Sequence, residues 1–175
     1  MSGFYDIPLS GLKEGSHTYD FEVGREFFDG YEETEIKESE LKIKAILIKR
    51  SAHMELKLAL EGRVLIECDR CLENYWQELE SESKLLIKYG DQWEELDDEV
   101  VMIPHGESRF NLSQFIYEFA HLALPIQRVH PDNEKGESTC DPFMMGKLMD
   151  HGEESEDNTD PRWKELGKLK DGLKN

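Results

Sequence analysis

The chain is organised around Ile66-Glu67-Cys68-Asp69-Arg70-Cys71-Leu72, a stretch that holds two of its three cysteines. The two thiols are separated by two residues, a spacing that lets them bind one side of a tetrahedral zinc ion. The residues before this stretch have the pattern of β-strands. The residues after it predict an acidic loop, one helix and a tail. The third cysteine, Cys140, lies far downstream, and its return to the pair would close the chain into one domain.

The composition predicts an acidic protein with two mildly basic segments. With 175 residues, one domain with tails is expected, and the formal net charge is −18. Residues 41–70 nevertheless carry seven Lys/Arg and four Asp/Glu, and residues 161–175 carry five and two. We call these two segments the basic islands. They leave open an interaction with nucleic acid that a uniformly acidic chain would repel.

The sequence predicts a cytosolic protein with reduced thiols and no membrane partner. Its N-terminus lacks the basic start and apolar run of a signal peptide, and no stretch approaches the roughly 20 apolar residues of a membrane span. Three cysteines are an odd number, which argues against a secreted disulfide framework.

Apolar residues alternate with polar ones over much of the first half of the chain, which is typical of half-buried strands. Strands are predicted over residues 18–23, 41–48, 54–60, 64–66 and 75–89, with a turn at Glu61-Gly62. Residues 91–99 contain six acids and are expected to form an exposed loop. The predicted fold class is α+β: an antiparallel sheet of about five strands covered by one main helix, with a C-terminal tail helix.

The main helix is predicted over residues 111–124. Asn111 is a favourable N-cap with Gln114 three residues on, and Pro125 ends the helix near Leu124. Five apolar residues at helical spacing predict one stripe packed against the sheet: Leu112, Phe115, Ile116, Phe119 and Leu122.

The domain organisation follows from these elements. Residues 1–150 are expected to form a single α+β domain, and residues 151–160 an acidic linker. Residues 161–175 are expected to form a tail helix that begins at Asp160-Pro161.

The cysteines predict a zinc site, with Cys68, Cys71 and Cys140 as ligands and His130 as the best fourth. His130 precedes Pro131 in the polar loop that leads to Cys140, and the helix could carry this loop back toward the sheet. The alternative is a pair of partly buried thiols that cap a sheet, with His130 on the surface. A redox pair is disfavoured because the context is antiparallel rather than βαβ. No residue pattern indicates a catalytic site.

Basic side chains on the first island indicate a second kind of contact. Lys42 and Lys44 point the same way on a strand, and Arg63 and Arg70 are expected nearby, which would suit contacts to phosphates. The alternatives are an ordinary solvated face, or an acidic body that binds a very basic partner.

Several of these motifs occur together in one family. In order they are Cys68-x-Arg70-Cys71-Leu72, Leu122-Ala-Leu-Pro125, Cys140 and Asp160-Pro161-Arg162-Trp163. The chain, over roughly residues 40–173, thereby resembles the bacterial YceD family of large ribosomal RNA subunit accumulation proteins.

The resemblance implies a role in making or maintaining the large-subunit ribosomal RNA. Genes of the family commonly neighbour that of a small basic large-subunit protein. Many members have further cysteines after the helix; here His130 and Cys140 stand near two of those, and the rest are missing. The family supplies no established catalytic residues.

Taken together, the sequence predicts a non-enzymatic factor that supports ribosomal RNA accumulation or large-subunit assembly. It would bind ribosomal RNA or a basic ribosomal protein, with these candidate contacts: Lys42, Lys44, Arg63, Arg70, Arg162 and Trp163. The alternative function is a metal- or thiol-dependent enzyme that acts on RNA.

Overall fold

The computed structural model describes residues 4–152. Its elements in chain order are β1 (Asp6–Pro8), β2 (Gly15–Gly24), α1 (Arg25–Phe28), β3 (Glu38–Lys49), β4 (His53–Glu67), β5 (Asn74–Gly90), β6 (Glu94–Asp97), β7 (Val100–Pro104), β8 (Arg109–Asn111), α2 (Ser113–Leu122) and α3 (Pro142–Gly152). The predicted α+β class is confirmed. The predicted tail helix over 161–175, with Arg162 and Trp163, lies outside the described residues.

The chain divides into two compact units. Unit 1 comprises Met1–Cys68 and Asn74–Arg128, and unit 2 comprises Asp69–Glu73 and Val129–Asn175. The single domain over residues 1–150 stays a prediction. Within residues 4–152, no helix is both long enough and apolar enough to cross a membrane.

Unit 1 is built on a six-stranded sheet with the order β2-β3-β4-β5-β7-β6. All neighbours are antiparallel except β5 and β7, which are parallel. The prediction of about five strands in a purely antiparallel sheet is therefore wrong in number and in one pairing. The strands that were not predicted are β6 and β7, within residues 94–104. All residues of β6 are exposed and most are acidic, so its sequence has the pattern of a loop. A separate two-stranded sheet pairs β1 with β8.

The predicted turn at Glu61-Gly62 is also wrong, because β4 runs unbroken from His53 to Glu67. Gly62 lies opposite Leu41 of β3 and has φ +144°, and a Cβ atom there would collide with the carbonyl oxygen of Glu40. Glycine at this position thus permits close approach of two strands rather than a reversal. Two predicted strands, 54–60 and 64–66, are one.

Helix α2 covers one face of the sheet, as predicted, but it is shorter than expected. It begins at Ser113, whose backbone N–H donates to Oδ1 of Asn111 over 3.0 Å. Phe115 and Ile116 are buried. The prediction that Leu122 packs against the sheet is wrong: its side chain is 79% exposed. The last turn of α2 borders an open cavity rather than a strand.

In unit 2, helix α3 was not predicted. Asp141 caps it, since the backbone N–H of Met144 donates to Oδ2 of Asp141 over 3.1 Å. Pro142 occupies the first helical position, where its missing N–H is no loss. The helix also includes residues 151–152 of the predicted linker, and residues 153–160 lie outside the described part of the chain.

Candidate metal centre

The first two candidate ligands lie in the hairpin loop 68–73. Glu67 at the end of β4 pairs with Asn74 at the start of β5, so the chain must reverse within this loop. Leu72 has φ 62°, a left-handed conformation that is rare for leucine, immediately after Cys71. Cys68 is fully buried and Cys71 is 2% exposed, although the loop that carries them is short and polar.

The other two candidate ligands lie in unit 2, on the loop between His130 and Cys140. The hydroxyl of Thr139 donates to the carbonyl oxygen of Pro131 over 2.7 Å. This bond crosses the base of the loop and brings the two candidate ligands close together. Oδ1 of Asn133 accepts backbone N–H bonds from residues 135 and 137 within the loop. Cys140 is 5% exposed.

The structure brings all four predicted ligands together. One ligand atom from each of Cys68, Cys71, His130 and Cys140 lies within 4.8 Å of the others. Nδ1 of His130 lies 3.4 Å from Sγ of Cys71 and 3.7 Å from Sγ of Cys140. Cys71, His130 and Cys140 belong to unit 2, and Cys68 immediately precedes its first segment.

These distances fit a tetrahedral zinc ion. Bonds of about 2.3 Å to sulfur and about 2.0 Å to nitrogen place two sulfurs roughly 3.8 Å apart, and sulfur and nitrogen roughly 3.6 Å apart. Both distances from His130 agree with this to about 0.2 Å. All ligand atoms lie within 4.8 Å of one another, so a separation at that limit would have to shorten by about 1 Å. Three thiols and one imidazole are also a usual donor set for structural zinc, and all three cysteines are free of disulfides.

The number of candidate ligands is that of a structural zinc site. Four protein ligands complete a tetrahedron, whereas catalytic zinc keeps one position for water or substrate. A zinc ion held here would connect the hairpin loop to the loop 130–140 and contribute directly to folding stability. Zinc binding itself stays a prediction.

Lys42 and Lys44 of the first island are exposed and lie opposite acids of neighbouring strands, whereas Lys57 of the same island lies opposite Lys84. Lys42 on β3 stands between Glu22 of β2 and Glu61 of β4, and Lys44 is opposite Asp20. Sequence reasoning missed these neighbours because each comes from another strand. The positive charges of Lys42 and Lys44 are therefore partly compensated by acids on the neighbouring strands.

Arg63 is engaged within the sheet. Its Nε donates to Oε2 of Glu40 over 2.7 Å, and its guanidinium lies 4.7 Å from the ring centroid of Trp76. The hydrogen bond from Arg63 lowers the pKa of the Glu40 carboxyl below its usual value. Arg70 lies between Cys68 and Cys71, in the first segment of unit 2, and is exposed.

Sheet, helix and ligand cluster together define a small α+β protein with a candidate structural zinc site. The family model described as "Large ribosomal RNA subunit accumulation protein YceD" matches residues 56–170, more than half of the chain. The chain belongs to this family, as the resemblance predicted. The matched region contains all four candidate ligands. No curated protein matches the chain, and no solved structure does.

The family name implies a role in the accumulation of large-subunit ribosomal RNA. The name gives neither a partner nor a mechanism, so both must be argued from the residues of this chain.

Proposed function

We propose that this protein is a non-enzymatic factor that supports large-subunit ribosomal RNA accumulation by binding a basic large-subunit ribosomal protein. Direct contacts to RNA phosphates, through Lys42 and Lys44, are secondary in this proposal. The observation that carries it is the acidic surroundings of these lysines on the sheet. The cytosolic location remains a prediction.

The charge balance favours a basic protein over RNA as the first partner. The net charge is −18, and each lysine of the β3 face has a carboxylate on a neighbouring strand. A phosphate that approaches Lys42 is also repelled by Glu22 and Glu61, which lie well within the Debye length of about 8 Å. A basic protein experiences the opposite field and is drawn to the same surface.

The candidate metal centre supports a structural role for the cysteines. Four buried or half-buried donors surround one point, which leaves no ligand position for a reacting water. This is the reason to prefer a binding factor over an RNA-processing enzyme.

Binding to fragments of large-subunit ribosomal RNA tests the proposal. At physiological salt, the chain alone should bind weakly, with an affinity that falls steeply as salt increases. Addition of a basic large-subunit protein should produce a tight ternary complex. Purified chain should also leave the RNA intact; RNA turnover that is lost on Cys68→Ser would instead establish the enzyme.

A charge-reversal variant tests the alternative, in which the chain binds RNA directly. Tight binding of RNA by the isolated chain, abolished by replacing Lys42, Lys44 and Arg63 with Glu, would make this a direct RNA binder and refute the proposed order. The matched control replaces Lys13, Lys135 and Lys147, all exposed, with Glu, because it changes the net charge equally away from β3.

A further inference from the structure

The edge of β5 is only partly covered by its neighbour. Strand β7 pairs with β5 from Leu86 to Gly90. The preceding segment, Glu78 to Lys84, pairs with β4 on one side, and within residues 4–152 no strand pairs with it on the other side. We call this segment the β5 edge. An uncovered edge of this kind offers backbone donors and acceptors to an incoming strand.

A cavity of about 1160 Å³ opens beside the end of this edge, within unit 1. Its walls are the β5 edge, β6 with the turn that follows it, and α2. Six carboxylates line it, against one lysine, Lys84, and one histidine, His121; the acids are Glu82, Glu95, Asp97, Asp98, Glu99 and Glu118. Apolar side chains line it too, namely Leu96, Phe119 and Leu122. Leu96 is 49% exposed and Leu122 is 79% exposed, so both side chains are accessible to a partner.

We propose that the β5 edge binds an extended, basic segment of a partner protein, which adds a strand to the sheet. This inference rests on the proposed function, because it gives the basic partner a docking surface. Side chains on one face of the added strand would lie beside Glu78, Glu80 and Glu82 and, at the end of the segment, Lys84, which are all exposed. Side chains on the other face would lie beside Ser81 and Ser83, next to the apolar wall of the cavity.

The occupant is therefore a segment in which Lys or Arg alternates with apolar residues. Opposite charges on adjacent strands stabilise pairing, whereas like charges oppose it. The three glutamates thus repel acidic strands and a second copy of the same edge, and they select a basic one. RNA is disfavoured at this surface because the carboxylates that line the cavity repel phosphate.

The test is direct titration of the full-length chain with a fluorescent ten-residue peptide of alternating lysine and valine. Glu80→Gln with Glu82→Gln should weaken binding by roughly 2- to 30-fold, the range for two opposite-charge cross-strand pairs. The matched control, Glu14→Gln with Glu32→Gln, makes the same change in net charge at two exposed residues outside the β5 edge. The control should bind the peptide with an affinity within about twofold of the wild type. If both variants weaken peptide binding equally, the attraction comes from the overall charge of the chain, and the proposal is overturned.

Backbone methylation of the peptide tests strand addition itself. Alternate N–H groups of an extended segment point to opposite edges. One peptide methylated at every odd position and one methylated at every even position should therefore differ, and only one should lose binding. If both peptides bind like the parent, or if neither binds, the segment does not pair with β5.

A capture experiment separates this inference from the proposed function. If the wild-type chain captures basic large-subunit proteins and the Glu80/Glu82 variant captures them equally, the β5 edge is wrong while the proposed function stands. If the wild-type chain captures none but still binds the peptide as described, the proposed function fails and the edge stands.

One further occupant is tested in the same titration. If the full-length chain with Trp163, Leu166 and Leu169 replaced by Ala binds the peptide more tightly, the chain's own C-terminal residues compete for the edge. A partner segment would then not be its primary occupant, and the proposal would be overturned. Unchanged affinity supports the partner segment.

Discussion

Replacing His130 with Ala should weaken zinc binding by roughly 100-fold. Nδ1 of His130 already lies 3.4 and 3.7 Å from two of the sulfurs, close to the separation in a zinc site. Structural zinc in small peptides is bound with about 10–16 kcal/mol across four ligands, or about 3 kcal/mol for each. A water molecule can fill the vacated ligand position and restore part of this binding free energy. The net loss is then about 2.7 kcal/mol, which corresponds to a zinc affinity about 100-fold lower.

The measurement is competition for zinc between the protein and a chromogenic chelator. His130→Cys keeps four donors and should remain within about tenfold of the wild type. His105→Ala is the matched control, because His105 is exposed and stacks on Tyr89 at 5.6 Å, outside the ligand cluster. It should bind zinc like the wild type.

Two results would refute this reasoning. The first is protein purified without chelator that contains less than about a tenth of a zinc ion per chain, with all three thiols freely reactive. The second is an unchanged zinc affinity in His130→Ala, which would show that the imidazole is only a neighbour of the three sulfurs.

Three further predictions concern stability. Gly62→Ala should lower the free energy of unfolding by at least about 2 kcal/mol, because a φ of +144° strains any side chain and the added Cβ collides with the backbone of Glu40. The measurement is urea denaturation. Gly24→Ala is the control and should show no comparable loss, because Gly24 has open space around it. Leu72→Gly should raise stability by up to about 1 kcal/mol by relieving the left-handed strain, and Leu72→Ala should gain nothing. Burial, and secondarily the charge of Glu26, raises the pKa of Tyr5 above 10.0. The unfolded chain therefore loses this proton first, so the stabilising effect is complete below pH 10 and is lost as the pH rises through the pKa of the folded state. Urea midpoints measured upward from pH 9 should fall less in Tyr5→Phe, and an identical fall in both proteins would contradict the assignment.

Local patterns were sufficient where neighbours in the sequence decide the structure. The alternation of Leu41 to Lys44 and of Met54 to Leu60 is sufficient to predict strands, because side chains two apart share a face. Asn111 correctly marked the start of α2 to within two residues. Helix α3 could have been found as well, since Asp141-Pro142 is the same signal that indicated a tail helix at Asp160-Pro161.

Where distant segments meet, local patterns failed. Gly62 looked like a turn, but its role depends on Glu40 of the neighbouring strand. Leu122 continued the apolar stripe of α2, but in the structure it borders a cavity of unit 1 and is exposed. Lys42 looked like part of a basic surface, but Glu22 and Glu61 lie beside it.

By itself, the sequence determined the α+β class, strands β2 and β3, the main helix and the identity of the four candidate ligands, because these follow from periodicity and from the chemistry of residue types. Only the tertiary structure decided that one atom from each of Cys68, Cys71, His130 and Cys140 lies within 4.8 Å of the others. It alone decided that, within residues 4–152, no strand covers the β5 edge, and that Lys42 lies between two acids. The physical reason is the same in each case. Distances between atoms and the electrostatic field at a surface depend on which strands become neighbours, and strand pairing is settled by packing of the whole sheet.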